Sequence, residues 1–182
     1  LTTLTLCLAL AGLTRAQAPE RGPQQLQVRV VSLNTWGAPF SARLPARVAK
    51  LGPELARLRP QLVCLQEVWR EEDGAALIEA LAAAGLPHAR HWKEGFVGSG
   101  LLIASAWPLR EVTFRPFALA GKAHKPWHGD WYARKGVALV SLETPIGPLL
   151  VADTHLHARY GSDEYLPVQL TQAAEVVEVI GD

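Results

Sequence analysis

Methionine is missing from all 182 residues, and cysteine occurs only twice, at Cys7 and Cys64. So few cysteines exclude a disulfide-stapled scaffold. Neither sign of charge is in excess, with 18 Lys and Arg against 17 Asp and Glu. Residues 1–18 carry one basic residue, Arg15, and no acidic one, so the remainder balances at 17 against 17. A non-specific nucleic-acid binder ordinarily shows a basic excess or stripe, and none is present. Long hydrophobic runs are also scarce: beyond the first 13 residues nothing approaches the roughly 20 apolar residues of a membrane span. At 49% hydrophobic and 19% charged, the chain is neither disordered nor collagen-like.

The one apolar run, Leu1 to Leu13, is followed by Ala16-Gln17-Ala18, a small-x-small cleavage pattern. Residues 1–18 therefore read as a secretory signal peptide lacking its basic n-region, and the protein is expected to be secreted or periplasmic, with no integral membrane segment once mature. Residues 19–25 (PERGPQQ) read as a linker, and residues 26–182 as one domain. A strand is predicted over 26–33, then a helix with Leu44, Val48, Leu51, Leu55 and Leu58 on one face, bent at Gly52-Pro53. A buried strand over 62–66 and a helix over 73–85 follow. Four strands are predicted over 98–105, 110–117, 135–142 and 148–154. A last helix over 166–180 places Leu166, Leu170, Ala173, Val177 and Ile180 on one face. This order implies a layered α/β fold with a mixed sheet, in which ligands bind at the carboxyl ends of strands.

Polar residues gather at such ends. Glu67 closes the apolar run 62–66, where an unpaired carboxylate needs a cation or the solvent rim. Asn34 ends another strand, where it either shapes a turn or, with Glu67, offers an oxygen to Mg²⁺. Asp153, His155 and His157 share one face of an extended strand, which is hard to explain as core. Asp130 and Lys135 lie in a loop rich in aromatics, either as a surface ion pair or as a mobile loop presenting a lysine to an anionic substrate. Cys64, on a buried strand, reads as packing and not as a redox group.

Five segments in order, VVSLNTWG around Asn34, VCLQEVW around Glu67, GSGLLIASAWPL at 98–109, Lys135-Gly136-Val137 and Thr154-His155-Leu156, resemble the endonuclease/exonuclease/phosphatase superfamily, which includes deoxyribonuclease I. Ala106-Trp107-Pro108, THLHA at 154–158 and the Asp130-to-Lys135 spacing are most similar to neutral sphingomyelinases. The resemblance implies a deoxyribonuclease I-like four-layer α/β sandwich and phosphodiester hydrolysis dependent on Mg²⁺ or another divalent cation. Glu67 would hold the ion, with Asn34 as a second ligand that positions metal-bound water and a phosphate oxygen. His155 would contact the phosphate and stabilise or protonate the leaving oxygen. Lys135, Asp130 and His157 would meet the substrate. The implied substrate is a phospholipid, sphingomyelin, at a membrane surface, and Trp127, Trp131 and Tyr132 suit a lipid interface. Nucleic acid is the rival substrate, and a non-catalytic binding domain of the same fold the rival role. Asp153-x-His155-x-His157 also resembles the metal-binding start of amidohydrolases, which would leave the upstream segments unexplained. The family's later Asp-x-Asn and its Asp-His pair, which activates water, do not occur in these 182 residues. The expectation is therefore an N-terminal portion of a catalytic domain, truncated at its carboxyl end and without turnover by itself.

Overall fold

The computed structural model describes residues 25–37, 44–93, 98–120, 133–161 and 163–181. The expected signal peptide, nearly all of the linker, Asp130, and the aromatics Trp127, Trp131 and Tyr132 lie outside the described residues.

Strand β1 (Val30–Asn34) leads through helix α1 (Leu44–Arg57) to β2 (Leu62–Gln66), which pairs with β1 in parallel. The register sets Asn34 beside Gln66. Helix α2 (Glu71–Ala83) follows, then β3 (His88–His91) and β4 (Leu102–Ser105), both running antiparallel to their neighbours. The first sheet has the order β1-β2-β4-β3. Strands β5 (Leu109–Pro116), β6 (Gly136–Thr144) and β7 (Gly147–Thr154) form a second, antiparallel sheet in chain order. A short 3₁₀ turn (Asp163–Tyr165) then enters α3 (Leu166–Gly181).

The period of two along β2 builds two cores at once. Val63 and Leu65 face the helices, packing with Val48 and Leu55 of α1 and Leu77 and Leu81 of α2. Leu62 and Cys64 face the other way and pack against Ala138, Val140 and Leu142 of β6 and Val151 of β7. Each fully buried leucine contributes about 1.5–3 kcal/mol relative to exposure. With α3 packed against β6, the layers run helix, sheet, sheet, helix, the expected four-layer sandwich. No helix among the described residues is long and apolar enough to cross a membrane.

Local chemistry explains the helix boundaries. Three acids, Glu71, Glu72 and Asp73, occupy the first turn of α2, where the helix dipole favours negative charge. The helix stops because Gly85 adopts φ +95° and closes a Schellman pair, with Gly85 N–H donating to Ala82 O and Leu86 N–H to Leu81 O. Helix α1 runs through Pro53, and a Cβ on Gly52 would stand 2.5 Å from Ala80 Cβ of α2. Gly52 thus permits a close helix crossing.

Several expectations change. Strand β1 begins at Val30, not at residue 26. Strand β3 was not anticipated, because its four residues His-Ala-Arg-His carry no apolar alternation. In α3 the buried positions are Val168, Gln172 and Val179, whereas Leu170, Val177 and Ile180 are exposed. This helix is apolar almost all round, so periodicity alone does not choose its buried face.

Candidate active site

The parallel register of β1 and β2 brings their carboxyl ends side by side, and both backbones turn sharply just beyond. Glu67 adopts φ +62° and Trp36 φ +51°, a left-handed region costly for a residue with a Cβ. Segment 35–37 holds this turn. Thr35 N–H and Oγ1 both donate to Gln66 O, at 2.9 and 3.0 Å, and the same hydroxyl lies 3.1 Å from Glu67 O. Gly37 packs so closely that a Cβ there would stand 2.0 Å from Glu67 O.

Asn34 Nδ2 donates to Glu67 Oε1 at 2.7 Å, and Asn34 Oδ1 accepts from Trp36 N–H at 2.8 Å. His155 arrives from the other sheet, one residue beyond β7, with Nε2 3.7 Å from Glu67 Oε1. Glu67 and His155 are each partly open, their side chains 19% exposed. The three residues predicted from strand ends therefore meet.

The segment carrying His155 is pinned through its neighbours. Lys135 Nζ donates to Leu156 O at 2.9 Å. His157 N–H donates to Gln172 Oε1 at 2.8 Å, and Gln169 Nε2 donates to His157 O at 2.7 Å. Gln172 completes its amide by donating to Leu119 O. These contacts reassign two expected substrate contacts. Lys135 is 6% exposed and braces a carbonyl beside His155, not displayed on a mobile loop. His157 is 2% exposed and stacked on Tyr165 with ring centroids 4.3 Å apart, which leaves a substrate almost no surface to touch.

Asp153, expected to lie outside the core, is buried instead. It is 4% exposed between the sheets, where Gln66 Nε2 donates to its Oδ1 at 2.7 Å. Burial pushes its carboxyl up to about 7, against the lowering effect of the Gln66 amide. Cys64 lies in the same inter-sheet core, its thiol pushed up to about 12 by burial and then by Asp153. It is an inert packing group. The residues that sequence patterns did not single out are Thr35, Gly37, Gln66, Gln169 and Gln172. Four of them act through contacts to backbone and Gln66 also through its side-chain bond to Asp153, all contacts that only the tertiary fold creates.

The donor set admits one divalent cation held mainly by water. Glu67 is a partly open carboxylate that no Lys or Arg pairs with among the described residues. Asn34 aims the carboxylate through its amide, and its oxygen, which accepts one peptide N–H, keeps a second lone pair that a cation could use. No cluster of three or more His, Cys, Asp or Glu fit to hold a metal occurs among the described residues. Mg²⁺ sites commonly use one or two carboxylates and several waters, and Glu67 fits that pattern.

The chain is 36% identical over 158 residues to human sphingomyelin phosphodiesterase 2, covering 85% of this chain and 37% of the relative. It is 37% identical over 158 residues to the inositol phosphosphingolipids phospholipase C of Schizosaccharomyces pombe, covering 85% and 36%. It thus spans little more than a third of the length of these curated relatives. Among solved structures, a sphingomyelinase C from Streptomyces griseocarneus shares the fold with a TM-score of 0.68 at 19% identity, over 86% of this chain and 59% of that one. A beta toxin variant from Staphylococcus aureus with bound magnesium ions matches with a TM-score of 0.71 at 16% identity, over 86% and 59%. Residues 31–181, which include every described site residue, match the Endonuclease/Exonuclease/phosphatase family, and the chain belongs to it.

Proposed function

We propose that the protein carrying this chain is a divalent-metal-dependent phosphodiesterase of the neutral sphingomyelinase type. It hydrolyses sphingomyelin to ceramide and phosphocholine at a membrane surface. The observation that carries the reading is the meeting of Asn34, Glu67 and His155, from two different sheets, within 2.7 and 3.7 Å of one carboxylate oxygen. A binding module needs no such trio. The names of the two relatives, both hydrolases of phosphosphingolipids, support the substrate class.

In this reading Glu67 holds Mg²⁺, which when bound supplies Lewis-acid polarisation and neutralises phosphate charge. Asn34 fixes the Glu67 carboxylate through its amide. His155 presents Nε2 beside that carboxylate, where a protonated ring hydrogen-bonds a phosphate oxygen or gives its proton to the leaving oxygen. Lys135 acts on the site through the carbonyl of Leu156, beside His155, and Asp130 is proposed to act with Lys135. Residues 1–18 are proposed to direct export and the protein to act outside the cytoplasm. The 182 residues contain no Asp-x-Asn and no Asp-His pair to activate water. This segment alone is therefore proposed to lack turnover.

The test compares sphingomyelin vesicles with plasmid DNA, using the intact protein in Mg²⁺. Phosphocholine release is expected, with Glu67→Gln and His155→Ala each lowering it by about two orders of magnitude or more. Cleavage of DNA alone would replace the proposal with the nuclease reading. Mg²⁺-dependent hydrolysis by the purified 182-residue segment, well above a Glu67→Ala control, would refute the claim about the segment.

A further inference from the structure

We propose that Gln66 and Asp153 form an inter-sheet strut that sets the spacing of Glu67 and His155, making both of them positioning residues of the site. The inference rests on the phosphodiesterase reading above and goes deeper into the same site. Gln66 is the last residue of β2, and Asp153 is the last but one of β7. The next residue after Gln66 is Glu67, and two residues after Asp153 comes His155. One hydrogen bond of 2.7 Å, spanning 87 residues of sequence, therefore ties together the two strand ends that carry the site.

Each partner is anchored at its own sheet. Gln66 O takes both donors of Thr35 and Gln66 itself lies in register with Asn34. Asp153 is paired with Ala138 on β6, the middle strand of the second sheet. The bond is deep, since Gln66 is 8% and Asp153 4% exposed. Below it the facing side chains are apolar, with Cys64, Val140 and Val151 in the same core.

Folding alone does not call for a carboxyl here. Asp153 Oδ2 is buried with no hydrogen-bond partner among the described residues. Such an atom carries a desolvation penalty that an apolar side chain of similar volume would avoid. A polar pair retained at a cost to stability, one layer beneath the reacting groups, is what a rigid support for a site requires. Dispersion contacts between apolar side chains permit sliding between sheets, whereas a hydrogen bond specifies one register.

The test uses the intact protein and three variants: Asp153→Leu, the double variant Gln66→Met with Asp153→Leu, and Asp153→Asn. The double variant fills the layer with apolar atoms and is expected to fold even where the single one does not. Both leucine variants should lower kcat for sphingomyelin hydrolysis by about 10- to 100-fold, the loss that misplacement on the ångström scale produces. In the double variant this loss should come with a denaturation midpoint that stays level or rises and an Mg²⁺ affinity by calorimetry within about threefold of the parent, since Glu67 and Asn34 remain paired, whereas the single variant, which strands the Gln66 amide, should also lose stability. A merely structural role would move stability and activity together. Asp153→Asn keeps the accepting oxygen and should restore kcat to within about threefold of the parent. Crystal structures should show the Glu67–His155 separation widened beyond its present 3.7 Å in the double variant and kept in Asp153→Asn. An unchanged separation in the double variant, or kcat within about twofold of the parent, would overturn the strut. If the parent protein hydrolyses no sphingomyelin, the functional reading falls, and the separations alone decide the strut.

Discussion

The Asp153 carboxyl holds its proton to about 7 in the fold, against an ordinary value of 3.8, because burial penalises the anion more than the Gln66 amide favours it. A raised folded value means that the folded chain keeps a proton the unfolded chain releases. The stabilisation is complete below about pH 4, is lost as pH rises through about 7, and is constant above that. At about 1.4 kcal/mol per pH unit, the ceiling is about 4 kcal/mol. Asp153→Asn has no proton to lose. The stability difference between variant and parent, measured by urea denaturation from pH 4 to 8, should grow in the variant's favour up to about pH 7 and then level off. A flat difference would show that the buried carboxyl is not neutral in the fold. A second residue-scale consequence concerns Gly37, where a Cβ would stand 2.0 Å from Glu67 O. Backbone must move to relieve that overlap, at a cost of about 1–3 kcal/mol. Gly37→Ala should therefore reduce hydrolysis and Mg²⁺ affinity together, because what moves is Glu67, the residue proposed to hold the ion.

Helix α3 controls the site from a distance, through one amide. Gln172 is 1% exposed and uses both ends of its side chain, accepting from His157 N–H and donating to Leu119 O. Gln172→Leu leaves the buried N–H of His157 unmet, at about 1–3 kcal/mol, and removes the donor to the carbonyl of the more exposed Leu119. The variant is expected to be destabilised by urea denaturation and to show faster amide hydrogen exchange over 155–159, with Asn34 and Glu67 unaffected. No such amide clamp can be read from spacing. Asn34, Glu67 and His155 were legible because strand ends in a layered α/β fold are short-range features, and the parallel β1–β2 register follows from them. Asp153 and His157 were legible as titratable residues on one face, but not as buried ones. Their depth depends on Gln66 and Tyr165, partners that alternation within a strand cannot name. Strand β3 and the buried face of α3 escaped for the opposite reasons. The first has too little apolar pattern, and the second has too much.

At the scale of the molecule, the two sheets each end in an edge that carries apolar side chains to the surface. On β1, Val30 is 53% and Leu33 37% exposed, and on β7, Leu149 is 37% and Leu150 54% exposed. Neither strand has a further partner among the described residues, since β1 pairs only with β2 and β7 only with β6. Natural edges are ordinarily blunted by charge, proline or bulges, because unpaired N–H and C=O groups recruit other strands. Strand β1 carries no charge, and β7 carries none on its exposed positions, its one acid, Asp153, being buried and its proline, Pro148, lying at one end. The outer face of α3 adds Leu170 at 63% and Val177 at 71% exposure. The 182-residue chain, purified by itself, should therefore self-associate through these edges at micromolar concentrations. Light scattering after size exclusion should give a mass that rises with concentration above that of one 19.8 kDa chain. Val30→Lys combined with Leu150→Lys places a charge on each edge and should return the mass to that of a single chain. A monomer at every concentration before substitution would show that these edges are not exposed in solution. Association that survives both lysines and disappears with Leu170→Lys and Val177→Lys would assign it to α3 instead.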